Sequence, residues 1–494
     1  RAEKAARLAE EAALYSHAAQ ALADAGLDEE RFDALVRRVR SLNGAEFDTQ
    51  AMQACRGLLD AASDDRQRLR AHSLLCGLLT ERGEPLAALA AGETALALAR
   101  RLGDREWEAR TAGHMSASLN RLGRAGESVA LLAPLREWMA SQPDEPLRML
   151  WHGDWGAALG LAGRVREAVA AFDVALAASR RLGLRDAEGR LLLNCAVALR
   201  QGGQFDRALQ LSRQGQAMSA SGADHAAPPI DRLVLARDEA EAGHYGRALP
   251  VLEDLLLDFE GRGAGFWVQA TRLVLARLWL DLGQQARAVP LLHPTRTGLP
   301  TDGPADLPAW LHADRHLLRL ELALALDQPA PAGVLDEALA LAATDAQRGP
   351  LLRVRALRHQ PAAHALAHAP ALADTLRATE RYGALLGLHT HVARAALATG
   401  RSAAAADAAR ALLALFDSGH APDAMYRAEA WWVAHQALAA AGQREDAERA
   451  LRAGERWLRE VALPQVPPAF IDGFLNRNAV NRALLAAAAG KVSI

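Results

Sequence analysis

The chain has 494 residues, 51% of them apolar, with 57 Lys and Arg against 59 Asp and Glu for a formal net charge of −2. That length and apolar share support an extensive core, larger than one ordinary compact domain. The near-neutral balance, with no long block of like charge, leaves no field for direct binding to nucleic acid.

Ala, Leu and Arg dominate while Val, Ile, Thr, Phe and Tyr are thin, so an all-α fold is expected. Cys55, Cys76 and Cys195 are far apart and odd in number, which builds neither a disulfide framework nor a CxxC metal site. They read as buried, reduced cysteines of a cytoplasmic protein. No apolar run approaches the roughly 18 residues needed to span a bilayer, and no cleavable leader opens the chain, so no membrane partner is expected.

In chain order, residues 1–65 read as N-terminal helical hairpins, and the start at Arg1 inside a helical pattern marks the chain as part of a longer protein. Residues 66–293 carry a regular repeat. Gly83, Gly123, Gly163, Gly203, Gly243 and Gly283 stand forty apart, with Asn43 in the preceding slot as the next-best residue for a left-handed turn. Five residues after each glycine comes a small residue (Ala88, Ser128, Ala168, Ala208, Ala248, Ala288), and seven before it another (Cys76, Ser116, Gly156, Ala196, Ala236, Ala276). Small side chains at one point on two successive helices let their backbones approach, as ridge-into-groove packing requires. The glycine therefore ends the first helix, A, of a hairpin. Half a period on, Gly103, Gly183, Gly263 and Gly303, with Pro143 in frame and Gly222 one residue early, mark turns between hairpins. The sequence RLVLAR, at 232–237 and again at 272–277, is one face of helix A repeated because neighbouring hairpins stack equivalently.

Small residue, glycine, then an aromatic as in Gly203-Gln204-Phe205 or Gly243-His244-Tyr245, then alanine five after the glycine and Ala95 or Ala175 seven further on, resembles the tetratricopeptide repeat (TPR). The resemblance implies a right-handed α-solenoid of stacked TPR-like hairpins, with a period of about 40 residues in place of the usual 34 or so.

The frame is lost after 293, where HPTRTGLPTDGPADLPAW reads as a loop at 294–309, and proline interruptions predict short, irregular helices up to residue 375. A second stack is expected at 376–461, from Gly400 with Ala393 and Ala405 and from Gly442 with Ala447, followed by a capping segment at 462–494 in which Asn478 stands as a helix N-cap. This end is similar to the C-terminal sensor part of large bacterial signal-transduction ATPases of the STAND type and of transcription regulators. Those relatives usually read Asn-Pro where this chain has Asn478-Ala479.

No GxxxxGK[ST] occurs, and the lysines are Lys4 and Lys491, so any ATPase lies outside this chain. GRGAGFW at 261–267 is read as a turn. His312/His316 and His364/His368 are i, i+4 pairs with no HExxH and no obvious third ligand, so they are taken as exposed helix histidines. His152 and Asp154 lack a placed nucleophile, and neither an enzyme nor a cofactor is expected. Trp155 and Trp279 fall in the apolar stripe, Trp151 is left open, and Trp431 and Trp432 cannot both face inward.

The binding signal lies off the core stripe of helix A. Arg237, Arg277 and Arg394 stand six before a frame glycine, and Arg70, Arg110 and Arg190 thirteen before one. These offsets differ by seven and so share a helix face, the face that lines the concave groove in TPR-like stacks. Asn194 holds a position where similar repeats use asparagine to grip an extended peptide. The expected groove ligand is a protein, a peptide or a small anionic effector, since arginine forks onto carboxylates and phosphates. The plain alternative is that these arginines pair with acids such as Glu241 and Asp281. At the level of function, the expectation is a non-enzymatic sensor regulating an upstream ATPase or transcription-regulator domain, with a structural scaffold or oligomerisation module as the alternative.

Overall fold

A computed structural model describes residues 2–44, 48–219, 229–292 and 307–490, and among these it contains 25 α-helices, a few 3-10 and π turns, and no strand. Helix A of the regular repeats spans Asp65–Arg82, Arg105–Arg121, Glu145–Leu161, Arg185–Gln201, Pro229–Glu241 and Gly265–Asp281. Between them run the B helices, of which Pro85–Leu102, Val165–Arg181 and Tyr245–Gly261 are unbroken. Helices of about 17 residues joined by tight turns account for the forty-residue period.

The local chemistry behind each hairpin is visible. All six frame glycines have φ between 66° and 91°, a left-handed cap that side-chain-bearing residues adopt at a cost. At Gly203 the cap is closed by Gly203 N–H donating to Arg200 C=O (2.8 Å) and Gln204 N–H to Leu199 C=O (2.9 Å). The small-residue positions meet where the helices cross: Cys76, Ala196 and Ala276 are wholly buried or nearly so, as are Ala88, Ala208 and Ala288. In the one repeat where both are serine, Ser116 and Ser128 hydroxyls lie 2.6 Å apart and satisfy each other. A Cβ at Gly156 would stand 3.1 Å from the Phe172 ring, which explains glycine in that slot.

Several expectations are corrected. Asn43 does not form the first frame turn; it lies inside the helix Asp28–Gly44, which runs one residue past it. The stretch read as irregular does hold the short helices Val334–Ala343 and Gly349–Ala356, but also two 17-residue helices, Ala309–Ala325 and Ala362–Ala378, the second accommodating Pro370. His316 is buried, with Nε2 3.6 Å from Glu337, whereas His364 and His368 are exposed and stack at 3.9 Å. Trp151 is buried and stacked on Trp155 at 5.5 Å. Gly222, Gly303 and positions 294–306 of the expected loop lie outside the described residues. The three cysteines are buried and unpaired, GRGAGFW makes the turn at Gly263, and Asn478 caps the last helix, Ala479–Ala488.

Consecutive A helices pack on one another as well as on their B partners, so the A helices form the inner layer of a curved stack. The curve closes on itself. The last turn of an α-helix leaves carbonyls without intrahelical donors, and here donors from 189 to 228 residues further along reach carbonyls of these ends. Trp310 Nε1 donates to Arg121 C=O (3.0 Å), Arg348 Nη2 to Asn120 C=O (3.5 Å), Arg381 to Leu161 C=O and to the Gln201 side chain, Ala421 N–H to Gly203 C=O (2.9 Å), and Asn478 Nδ2 to Asp281 C=O (2.9 Å). The rim formed by the A-helix C-termini of the first superhelical turn thus sits against the second turn along a continuous seam. Arginine there also complements the negative end of the helix dipole.

Candidate functional site

The seam and the inner layer together line a half-open cavity of about 200 Å³. Its wall is built from the C-terminal halves of the A helices Gly265–Asp281 and Ala309–Ala325, the turn Leu357–His359 after Gly349–Ala356, the inner face of Tyr382–Ala398, the start of Arg427–Ala440, and residues Arg477–Val480 of the closing segment. Successive inner helices deliver their charged faces to one place because equivalent positions in a stack align.

Two carboxylates organise the wall. Glu321 accepts from Arg277 Nη2 (3.1 Å) and Arg355 Nη2 (3.1 Å), and Arg355 also pairs with Asp314. Glu429 accepts from Arg358 Nη1 (2.6 Å) and pairs with Arg394, whose Nη1 lies 3.0 Å from His391 Nδ1. Burial works against the charge of Glu321, but Arg277, Arg355 and Arg358 outweigh it and hold the carboxyl at about 2. Glu429 is likewise held at about 2, burial being overcome by Arg358 and Arg394. Burial pushes Asp281 up to about 7, with Arg277 opposing and Glu321 adding to the shift. Burial, with Arg394 beside it, drives His391 well below the ordinary histidine range, so it is neutral.

The arginine ladder is distributed along the stack. Arg277 lines the cavity and Arg394 joins its wall through Glu429. Arg237 pairs with Glu241 (3.1 Å), as the plain alternative has it, and Arg110 pairs with Glu106 (2.8 Å). Arg70 pairs with Glu29 (3.3 Å) and Asp33 and lies over the Phe32 ring at 5.5 Å. Arg190 is exposed, close enough to Asp231 for its charge to act there, and Asn194 is exposed on the same helix. Glu321, Arg355 and Arg358 were missed because they lie where the glycine frame is lost and no period assigns a face. Two signals were available: Glu429 stands thirteen before Gly442, the offset of the arginine ladder, and Glu321 lies forty-four residues after Arg277, on the next A helix, if the break is read as an inserted loop.

Trp431 and Trp432 are both half-buried; Trp431 stacks on Phe416 at 4.5 Å and approaches Trp457, while Trp432 stacks on His435. Among the described residues no group of three or more His, Cys, Asp or Glu is placed to hold a metal ion, and no helix is long and apolar enough to cross a membrane.

No family model and no curated protein matches the chain. Among solved structures it is similar to a Rap protein complexed with Competence and Sporulation Factor, at 11% identity and a TM-score of 0.36 over 84% of this chain and 98% of that one. It is also similar to the human IFIT1 dimer with m7Gppp-AAAA, at 15% identity and 0.40 over 79% and 90%. The APC/C hetero-tetramer Cut9-Hcn1 superposes at 13% identity and 0.47 over 96% and 95%.

Proposed function

We propose that the chain is a non-enzymatic sensor and interaction module. A protein segment, peptide or small anionic effector enters the charged interior, and occupancy is passed to an ATPase or transcription-regulator domain outside this sequence, in a bacterial cytoplasm. On this reading 66–293 and 376–461 are the two stacks, 294–375 joins them, and 1–65 and 462–494 are the ends. The observation that carries the proposal is the convergence of successive inner helices and the closing segment on one arginine-lined cavity that straddles the seam. A ligand there touches both superhelical turns, so it favours the closed pitch over an open one by its differential affinity, and an attached domain feels that difference.

Native mass spectrometry of the chain after incubation with lysate of its source cells tests this. A stoichiometric adduct lost on replacing Arg237 and Arg277 with alanine supports the sensor. Absence of any adduct, or one that survives both substitutions, removes it. A structural scaffold or oligomerisation module would need a large exposed apolar patch, and around Trp431 and Trp432 the packing of Trp431 against Phe416 and Trp457 does not favour one.

A further inference from the structure

The cavity wall has an imbalance that points to the chemistry of its occupant. The lining guanidiniums of Arg277, Arg355 and Arg358, with Arg394 behind Glu429, share three ion-paired carboxylates, those of the lining Glu321 and Glu429 and of Asp314 behind Arg355. Arg277 and Arg358 are the under-used members. Arg277 shares its one carboxylate with Arg355, and Arg358 shares its one with Arg394, so each keeps N–H donors uncommitted among the described residues; the Arg358 Nε, like that of Arg355, is shut off from solvent and has no acceptor there. The fourth acid, Asp281, makes no ion pair within 4 Å among the described residues, and it is only partly charged at neutral pH. Arg477, at the closing segment, stands 3.5 Å from Asp472 and adds no unpaired negative charge. Beside the polar side chains of Gln285, His391, Tyr426 and Asn478, the wall carries an apolar patch of Leu280, Leu324, Ala325, Met425 and Val480.

We infer that this cavity is a binding site for a small organic anion, one carboxylate head held by Arg277 and Arg358 and one short apolar tail against Leu280, Leu324 and Val480. The inference deepens the sensor reading and rests on it, by naming the class of effector and the place it is held. Buried arginine is suited to this because its planar fork matches a carboxylate with two parallel hydrogen bonds and is weakly hydrated, so desolvating it costs less than desolvating an ammonium. The size is consistent, since the cavity of about 200 Å³ is below the roughly 300–1,000 Å³ that accommodates drug-sized ligands. The head lies beside Asp281, whose carbonyl accepts from Asn478, so the occupied site spans the contact that closes the seam.

The test is isothermal titration calorimetry of the chain with hexanoate, and with hexylamine as a probe of the same tail and opposite head. One hexanoate binds per chain, with a dissociation constant on the order of 1 mM or tighter, and hexylamine binds at least about tenfold more weakly. Arg277→Gln and Arg358→Gln each weaken hexanoate about tenfold or more, the loss expected for a charge-assisted hydrogen bond. Neither substitution leaves an orphaned carboxylate, because Glu321 keeps Arg355 and Glu429 keeps Arg394. Ala325→Trp, at an exposed helix-end position on the rim, blocks the cavity without disturbing the core and abolishes binding. Hexanoate that fails to bind, that binds no better than hexylamine, or that binds the Ala325→Trp chain unchanged overturns the inference. A lysate adduct that still depends on Arg237 and Arg277 in that case leaves the sensor reading standing and removes only the ligand class.

Discussion

The Asn478 side chain does two jobs at once: its Oδ1 accepts from the Val480 and Asn481 amides at the start of the last helix, and its Nδ2 donates to the Asp281 carbonyl (2.9 Å), 197 residues earlier. One amide thus caps a local helix and closes a superhelical turn. Asn478→Ala removes both, and the expected loss is about 1–3 kcal/mol, a cap plus a hydrogen bond to a nearly buried acceptor. Urea unfolding measures it, and amide exchange should rise at residues 479–488 and 278–285 together. A rise confined to 479–488 would show the cap matters and the seam bond does not.

Gly203 and Gly103 separate the cost of a left-handed turn from the cost of the seam. Both have positive φ, 83° and 68°, but a Cβ at Gly203 would lie 2.6 Å from Gly383 N, whereas among the described residues nothing lies within 4 Å of one at Gly103. Gly103→Ala is expected to cost about 1 kcal/mol, the strain of a side chain in the left-handed region. Gly203→Ala should cost at least about twice as much, because the backbone it meets belongs to the next superhelical turn. Equal losses in urea unfolding would mean the two turns are not in contact in solution.

Asp154, packed on Gly113 in the inner layer, has its carboxyl pushed by burial from near 3.8 up to about 7. The folded state therefore keeps the proton to higher pH than the unfolded state. Its contribution favours folding below about 3.8 and is lost as pH rises through about 7. Asparagine cannot ionise, so the stability of Asp154→Asn relative to the parent should grow from pH 4 to pH 7, level off by pH 8, and reach on the order of 2 kcal/mol there. Melting the two chains at pH 4, 6 and 8 checks this, and a pH-independent difference would place the carboxyl in water.

What the sequence determined by itself was everything set by local chemistry. A left-handed glycine cap, a close crossing of small residues and a 3.6-residue stripe each act within one hairpin, so a forty-residue period spelled out the hairpin, its turns and the shared face of Arg237 and Arg277. Even there, position outweighed residue type once: Asn43 occupies a turn slot but continues a helix, because asparagine tolerates the left-handed region without requiring it. The tertiary structure decided the rest. Arg277 meets Glu321 across neighbouring hairpins, Glu429 gathers Arg358 and Arg394, and Trp310 reaches the Arg121 carbonyl 189 residues back. Those partners depend on superhelical pitch, which sums small rotations over many interfaces and leaves no periodic mark on the chain.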